Sequence, residues 1–319
     1  MRARQVKARL KHLIRKFWLP ARHPRPKALP KRQDEWSIGI YVGESPYEFT
    51  SPVHMHNPVL TRADVSDAQA ALVADPFMLN RCGTWYLFFE VMNQQTRKGE
   101  IGLATSENLL QWTYCQIVLA EPFHLSYPYV FEWMGEYFMI PESHRARSIR
   151  LYKASHFPTH WSFVTTLLSD GIFLDSSIFR YHDKWWMFTE TNPQRKYDTL
   201  RLYFADDLSG PWHEHSRSPI IEGNPHIARP GGRVLVIDDR IIRYAQDCHP
   251  VYGTKVQAFE ITELTEQHYR ESLVREQAIL AASGNDWNAC GMHHIDPHRI
   301  DHGKWVASVD GFVWRDGLR

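Results

Sequence analysis

Asp75 and Asp175 open two matching segments of the chain, and their residue type suits one chemistry well. Glycosyl transfer and hydrolysis need two carboxyl groups facing each other across a sugar. One protonates the leaving oxygen while the other activates water or attacks the sugar carbon. Asp75 is the candidate base or nucleophile and Asp175 the candidate proton donor. A donor aspartate needs its pKa raised by burial or by a neighbouring acid, and Glu142 and Glu190 are the candidates to supply that. The competing role for such acids is to hold backbone amides between repeats.

Other side chains fit a sugar site around this pair. Arg229 and Arg243 can grip a carboxylate or phosphate through paired N–H groups, with simple salt bridging as the alternative. Tyr127, Asp247, His293 and His294 are further candidate substrate-binding residues. On a strand, His294, Asp296 and His298 share one face, which makes a Ca²⁺ near the axis conceivable. Pro297 weakens that strand, and histidines bonding sugar hydroxyls are the preferred reading, with no metal or cofactor required. There is no phosphate-cradling Gly-rich loop, no GxSxG and no HExxH, which disfavours dinucleotide enzymes, serine hydrolases and zincins.

These residues fall in a repeat. VADPFMLNRCGTWYLFFE (residues 73–90) reads as two strands around an Asn–Gly turn, ending on Glu90. Four more segments share the plan: a polar start, an apolar strand, a turn, an aromatic or apolar strand and a closing acid. Their closing acids are Glu142, Glu190, Asp247 and Asp310, at steps of roughly 50 to 60 residues. Three further stretches, ending at Trp112, Trp161 and Trp212, repeat as well, with a looser version from Lys255 to Tyr269. Four strands per unit and five units predict an all-β, five-bladed β-propeller. The repeat starts Asp75, Tyr127, Asp175, Arg229 and His293-His294 then face one axial channel. Trp36–Tyr41 is expected to close the ring beside Lys304–Val309, and Arg270–Ala282 reads as a charged, helix-prone insertion.

The first 35 residues differ in kind. They hold twelve Lys or Arg and two acids, a net of +10 that leaves −9 for the rest of a chain with a net charge of +1. Val6, Leu10, Leu13, Ile14 and Phe17 recur at helical spacing among basic residues, and four prolines follow between Pro20 and Pro30. The expected organisation is a basic amphipathic helical tail with a linker over 1–35 and the propeller over 36–319. Residues 1–19 suit contact with an anionic membrane surface, a solvated tail or a partner. The acidic body disfavours nucleic acid. Four scattered cysteines, no signal-like apolar core and no long apolar run point to a reducing, cytoplasmic setting, peripheral to the inner face of the membrane if the tail binds lipid.

Ala74-Asp75-Pro76 followed by Gly83-Thr84-Trp85-Tyr86-Leu87 resembles the first blade of glycoside hydrolase family 43 and its five-bladed relatives. That resemblance implies Asp75 as general base. Asp175 stands where the family has a glutamate donor, and Tyr127-Pro128-Tyr129 replaces its modulating Asp motif. A second resemblance covers about Trp36 to Gly311. WSIGIY, VADPF, KGEIGLATS, SYPYVFEW, IARPGG, AQDC and GMHHID are similar to the N-terminal domain of the glucosamine inositolphosphorylceramide transferases and its bacterial homologues. In the plant proteins a separate C-terminal domain is taken to transfer the sugar. The expectation is therefore a carbohydrate-active propeller in surface-glycan, polysaccharide or glycolipid biosynthesis, working by glycosyl transfer or hydrolysis. The alternative is a non-catalytic module, partnering a glycosyltransferase, that binds a glycan, glycolipid headgroup or sugar nucleotide.

Overall fold

The computed structural model describes residues 32–300 and 303–316. The helical reading of the tail and its membrane contact lie outside the described residues. Strands dominate because aromatic and β-branched residues alternate between turn signals such as Arg81-Cys82-Gly83-Thr84. The chain starts with β1 (Arg32–Ser45) and β2 (Glu48–Thr50). Blade I follows as β3 (Ala70–Arg81), β4 (Thr84–Asn93), β5 (Lys98–Ser106) and β6 (Thr113–Leu119). Blade II is β7 (Ser126–Trp133), β8 (Glu136–Glu142), β9 (Ser148–His156) and β10 (His160–Ser169). Blade III is β11 (Leu174–Tyr181), β12 (Lys184–Glu190), β13 (Leu200–Ala205) and β14 (His213–Glu214).

Blade IV is less regular: β15 (Arg229–Pro230), β16 (Leu235–Ile237), β17 (Arg240–Asp247), β18 (Lys255–Leu264), β19 (Tyr269–Leu273) and β20 (Leu280–Ala281). The predicted helix over Arg270–Ala282 is absent. Residues 269–273 instead pair with β18, since an outer edge of the sheet was open to them. Blade V combines β21 (Ile295–Arg299) and β22 (Trp305–Asp316) with the N-terminal strands, in the order β2-β1-β22-β21. Ring closure thus runs through β1, as the sequence predicts. Together the five sheets make a five-bladed β-propeller.

The inner strands β3, β7 and β11 share a device. Their ladders slip at Ala74/Phe77, Ser126/Tyr129 and Leu174/Ser177, and in each slip sits a residue with positive φ. Those residues are Asp75 (54°), Tyr127 (45°) and Asp175 (49°). A bulge with a left-handed non-glycine residue costs about 1–3 kcal/mol, and it re-aims the side chain. It also leaves that residue's N–H without a ladder partner, so another acceptor has to be found.

The axis itself is filled. Tyr127 is fully buried, and its hydroxyl meets Ser177 Oγ (2.8 Å), donates to Gly232 O (3.0 Å) and accepts from Gly232 N (2.7 Å). Phe77 and His294 pack against its ring. Gly232 has φ 141° and bridges Ile295; a Cβ there would lie 1.7 Å from Ile295 O, so only glycine fits.

Candidate functional site

Above this plug, where the inner strands begin, lies a cavity of about 260 Å³. Its wall includes Asp75, Glu90, Glu142, Arg229 and His293, joined by His124, His144, Arg195, Tyr197 and Tyr252. The repeat predicted the first group. The second lies largely in loops that follow no period.

The free amides of the bulges explain several acids. Asp310 Oδ2 accepts from Asp75 N (2.9 Å), Asp75 Oδ2 from Tyr127 N (3.2 Å) and Glu142 Oε2 from Asp175 N (3.1 Å). Each bond runs from one blade to the next, the first from blade V to blade I. Asp75 and the closing acids Glu142 and Asp310 therefore serve the ring as well as the pocket side of the molecule.

Their proton states differ widely. Burial opposes ionisation of Glu142, but His144 Nδ1 at 2.6 Å from Oε1 and the Arg229 charge outweigh it and hold its pKa down to about 2. Glu90 has no such support. Burial, then the nearby charges of Asp75 and Glu142, push its carboxyl well above the usual range, and His124 Nε2 stands 3.5 Å from its Oε1. Burial pushes Asp75 up to about 6 against the pull of His293, whose Nε2 lies 3.4 Å away. His293 Nδ1 bonds Asp310 Oδ1 (2.7 Å), and the Asp310 charge raises the His293 pKa although burial opposes it.

Asp175 is not placed as the expected proton donor. Arg229 Nε donates to its Oδ2 (2.6 Å) and Arg229 Nη2 to its Oδ1 (3.3 Å), while Gln246 Nε2 donates to Oδ2 (2.6 Å). Burial pushes its pKa up, yet three N–H donors on two oxygens are complementary to the carboxylate, and on that geometry the pair is ionic. Arg229 does reach the cavity, but its charge is already used by Asp175 and, at 3.6 Å, Glu142. Its guanidinium lies over the rings of Tyr197 (4.7 Å) and Tyr252 (5.0 Å).

Five other predicted site residues fall away from the cavity wall. Tyr127 and His294 belong to the plug beneath it; burial lowers the His294 pKa to about 4, so the ring is neutral. Glu190 accepts from Asn192 N (2.9 Å) and Thr199 N (3.3 Å) and organises its own loop. Asp247 accepts from His249 N (2.9 Å) and meets His226 Nδ1 (3.0 Å). Arg243 is neither a substrate clamp nor a surface bridge: it is buried, paired with Glu271 and donating to Ile227 O (3.1 Å).

Nor do His294, Asp296 and His298 form a calcium cage. The Asp296 carboxylate is taken by Arg233, by His298 Nε2 (2.8 Å) and by the Met78 N–H. A cation there would face a buried guanidinium. Asp75, His293 and Asp310 do bring three donor atoms within 4.8 Å of one another. Both Asp310 oxygens and His293 Nδ1 are already bonded within the set and to Asp75 N.

The five-bladed β-propeller fold is shared with solved glycoside hydrolases. The fold is similar to a family 117 glycoside hydrolase from Zobellia galactanivorans (TM-score 0.53, 11% identity, covering 90% of this chain and 95% of that one). It is also similar to an α-L-arabinofuranosidase from Podospora anserina (TM-score 0.55, 10% identity, 72% and 77%). By sequence the chain belongs to the family described as glucosamine inositolphosphorylceramide transferase 1, N-terminal, which matches residues 29–312. Glucosamine inositolphosphorylceramide transferase 1 of Oryza sativa subsp. japonica is 35% identical over 322 residues, and that of Arabidopsis thaliana 31% over 313. These alignments cover 92% and 91% of this chain but only 43% and 41% of the relatives.

Proposed function

We propose that the axial pocket binds a saccharide and carries out glycosyl transfer or hydrolysis, with Glu90 as proton donor and Asp75 as the carboxylate facing the reacting carbon. One observation carries this reading: Glu90 and Asp75 line a single cavity, and burial raises both carboxyls, but to different extents. Burial, then the charge of Asp75, pushes Glu90 well above the usual carboxylate range, whereas Asp75, with His293 opposing its burial, rises only to about 6. Separated pKa values of this kind are how acid and base roles are divided between like groups. The donor is thus assigned to Glu90 in place of Asp175.

The family and the hydrolase-like fold support a glycan or glycolipid context, with a glycan, a glycolipid headgroup or a sugar nucleotide as ligand. The deciding experiment is a turnover screen of glycosides and sugar nucleotides with wild type, Asp75→Asn and Glu90→Gln. Loss of turnover in both variants, with unchanged melting, supports the assignment. Full turnover in Glu90→Gln removes it.

A second reading, a binding module that partners a glycosyltransferase, rests on the amide bonds made by Asp75 and Glu142, which tie catalytic-looking acids to the ring. Turnover above background would end that reading. The cytoplasmic setting and the lipid contact of residues 1–19 stay part of the proposal. Liposome flotation of intact and tail-deleted protein tests the contact, and equal behaviour rejects it.

A further inference from the structure

The cations nearest the axis are not available to a ligand, and that directs attention to the rim of the pocket. Arg229 is held by Asp175 and Glu142, and Arg243 by Glu271. Two other arginines belong to segments that line the cavity. Arg195 belongs to the loop between β12 and β13 and lines the cavity; Arg145 follows the cavity residue His144. Both side chains are exposed, and among the described residues neither makes an ion pair or a side-chain hydrogen bond.

The two arginines come from blades II and III, and the charge of each acts on His124. The His124 ring centroid is 5.9 Å from that of His144, the neighbour of Arg145. Burial first, and then the positive charges of Arg145 and Arg195, lower the His124 pKa. His124 Nδ1 accepts from Gly99 N (2.8 Å), which leaves its remaining proton on Nε2.

The loop carrying Arg195 is built. Glu190 takes two of its amides, Asn192 Oδ1 accepts from Gln194 N (2.8 Å) and Asn192 Nδ2 donates to Asp198 Oδ1 (2.7 Å). Arg195 (φ 56°) and Tyr197 (φ 59°) both adopt the left-handed conformation, and both line the cavity. Strain of about 1–3 kcal/mol at each is borne where the loop presents a guanidinium to the opening. Two like charges left unpaired beside one pocket attract an anion.

We propose that Arg145 and Arg195 form an anion-binding rim, so that the saccharide taken by the pocket carries a phosphate or a carboxylate beside His124. The inference rests on the saccharide reading of the pocket. It replaces Arg229 and Arg243 as the groups that meet the ligand's charge. Phosphate and carboxylate share this recognition chemistry, and the choice of probes separates them.

The test is titration calorimetry of the whole chain with four probes: myo-inositol, inositol 1-phosphate, glucuronate and inorganic phosphate. Wild type is expected to bind one anionic saccharide about tenfold more tightly than neutral inositol. Arg195→Gln and Arg145→Gln each lose most of that preference, with melting unchanged. Arg195→Lys retains part of it, and raising ionic strength from about 0.01 to 0.15 M weakens only the anionic probes. Equal affinity of wild type and both variants for the anionic saccharides overturns the rim. So does inorganic phosphate binding as tightly as inositol 1-phosphate, which would make this a free-anion site. If wild type binds no saccharide at all, the pocket reading itself falls and the rim assignment with it.

Discussion

Glu190 shows how a buried side chain can be misjudged from its place in a repeat. It is fully buried and its pKa is raised by burial to about 7, although the Asn192 and Thr199 amides pull the other way. A carboxyl raised on folding binds its proton more tightly in the native state. Its contribution is complete below the unfolded value of 4.5 and fades as pH rises through about 7. Glu190→Gln is therefore expected to gain about 1–3 kcal/mol over wild type near pH 8 and nothing near pH 4, read from urea unfolding at both values. Glu142 has the opposite sign. Its pKa is depressed to about 2, so its contribution is present above 4.5 and lost as pH falls toward 2. Glu142→Gln is expected to cost about 2–3 kcal/mol at neutral pH, and that cost shrinks in acid. A variant with the same cost at both ends of the range contradicts the ionised assignment.

Among the elements, the inner strands decide where side chains point. The spacing of Asp75-Pro76, Tyr127-Pro128 and Asp175-Ser176 made their shared position readable, because a bulge recurs at one place in each repeat. The closing strand β1 was readable for a similar reason: Trp36–Tyr41 alternates and a ring needs a last strand. What each repeat start touches was not readable. Asp175 meets Arg229 across 54 positions of sequence and Gln246 across 71, and no local pattern encodes such partners. His124, Arg145, His144, Arg195 and Tyr197 escaped because they sit in loops or beside them, where periodicity carries no information. One signal was present for His144: it follows a closing acid at a spacing of two, within bonding reach of Glu142. At this scale Gly232→Ala is the sharp test. Its Cβ would collide with Ile295 O, and its backbone also anchors Tyr127, so the variant is expected to lose more than about 3 kcal/mol or fail to fold. A soluble variant with unchanged melting would refute the plug.

For the molecule, closure depends on two separate stretches of chain lying in one sheet. Ile38 and Ile40 of β1 are buried, and the Tyr244 hydroxyl of blade IV donates to Pro46 O (2.7 Å) just beyond it. Deleting residues up to 50 strips β1 and β2 from β22 and bares an unpaired edge. The expected result is loss of the cooperative melt and appearance of aggregates in size-exclusion chromatography. Deleting only residues 1–31 is expected to leave the melt intact.

The chain of amide bonds from Asp310 to Asp75, Asp75 to Tyr127 and Glu142 to Asp175 acts like a hoop holding barrel staves. The same carboxylates that colour the pocket also rivet its wall. A lineage adapting this pocket to a new sugar is then not free to exchange them one by one. Drift is channelled to the loops bearing Arg145 and Arg195, whose guanidinium groups make no ion pair among the described residues.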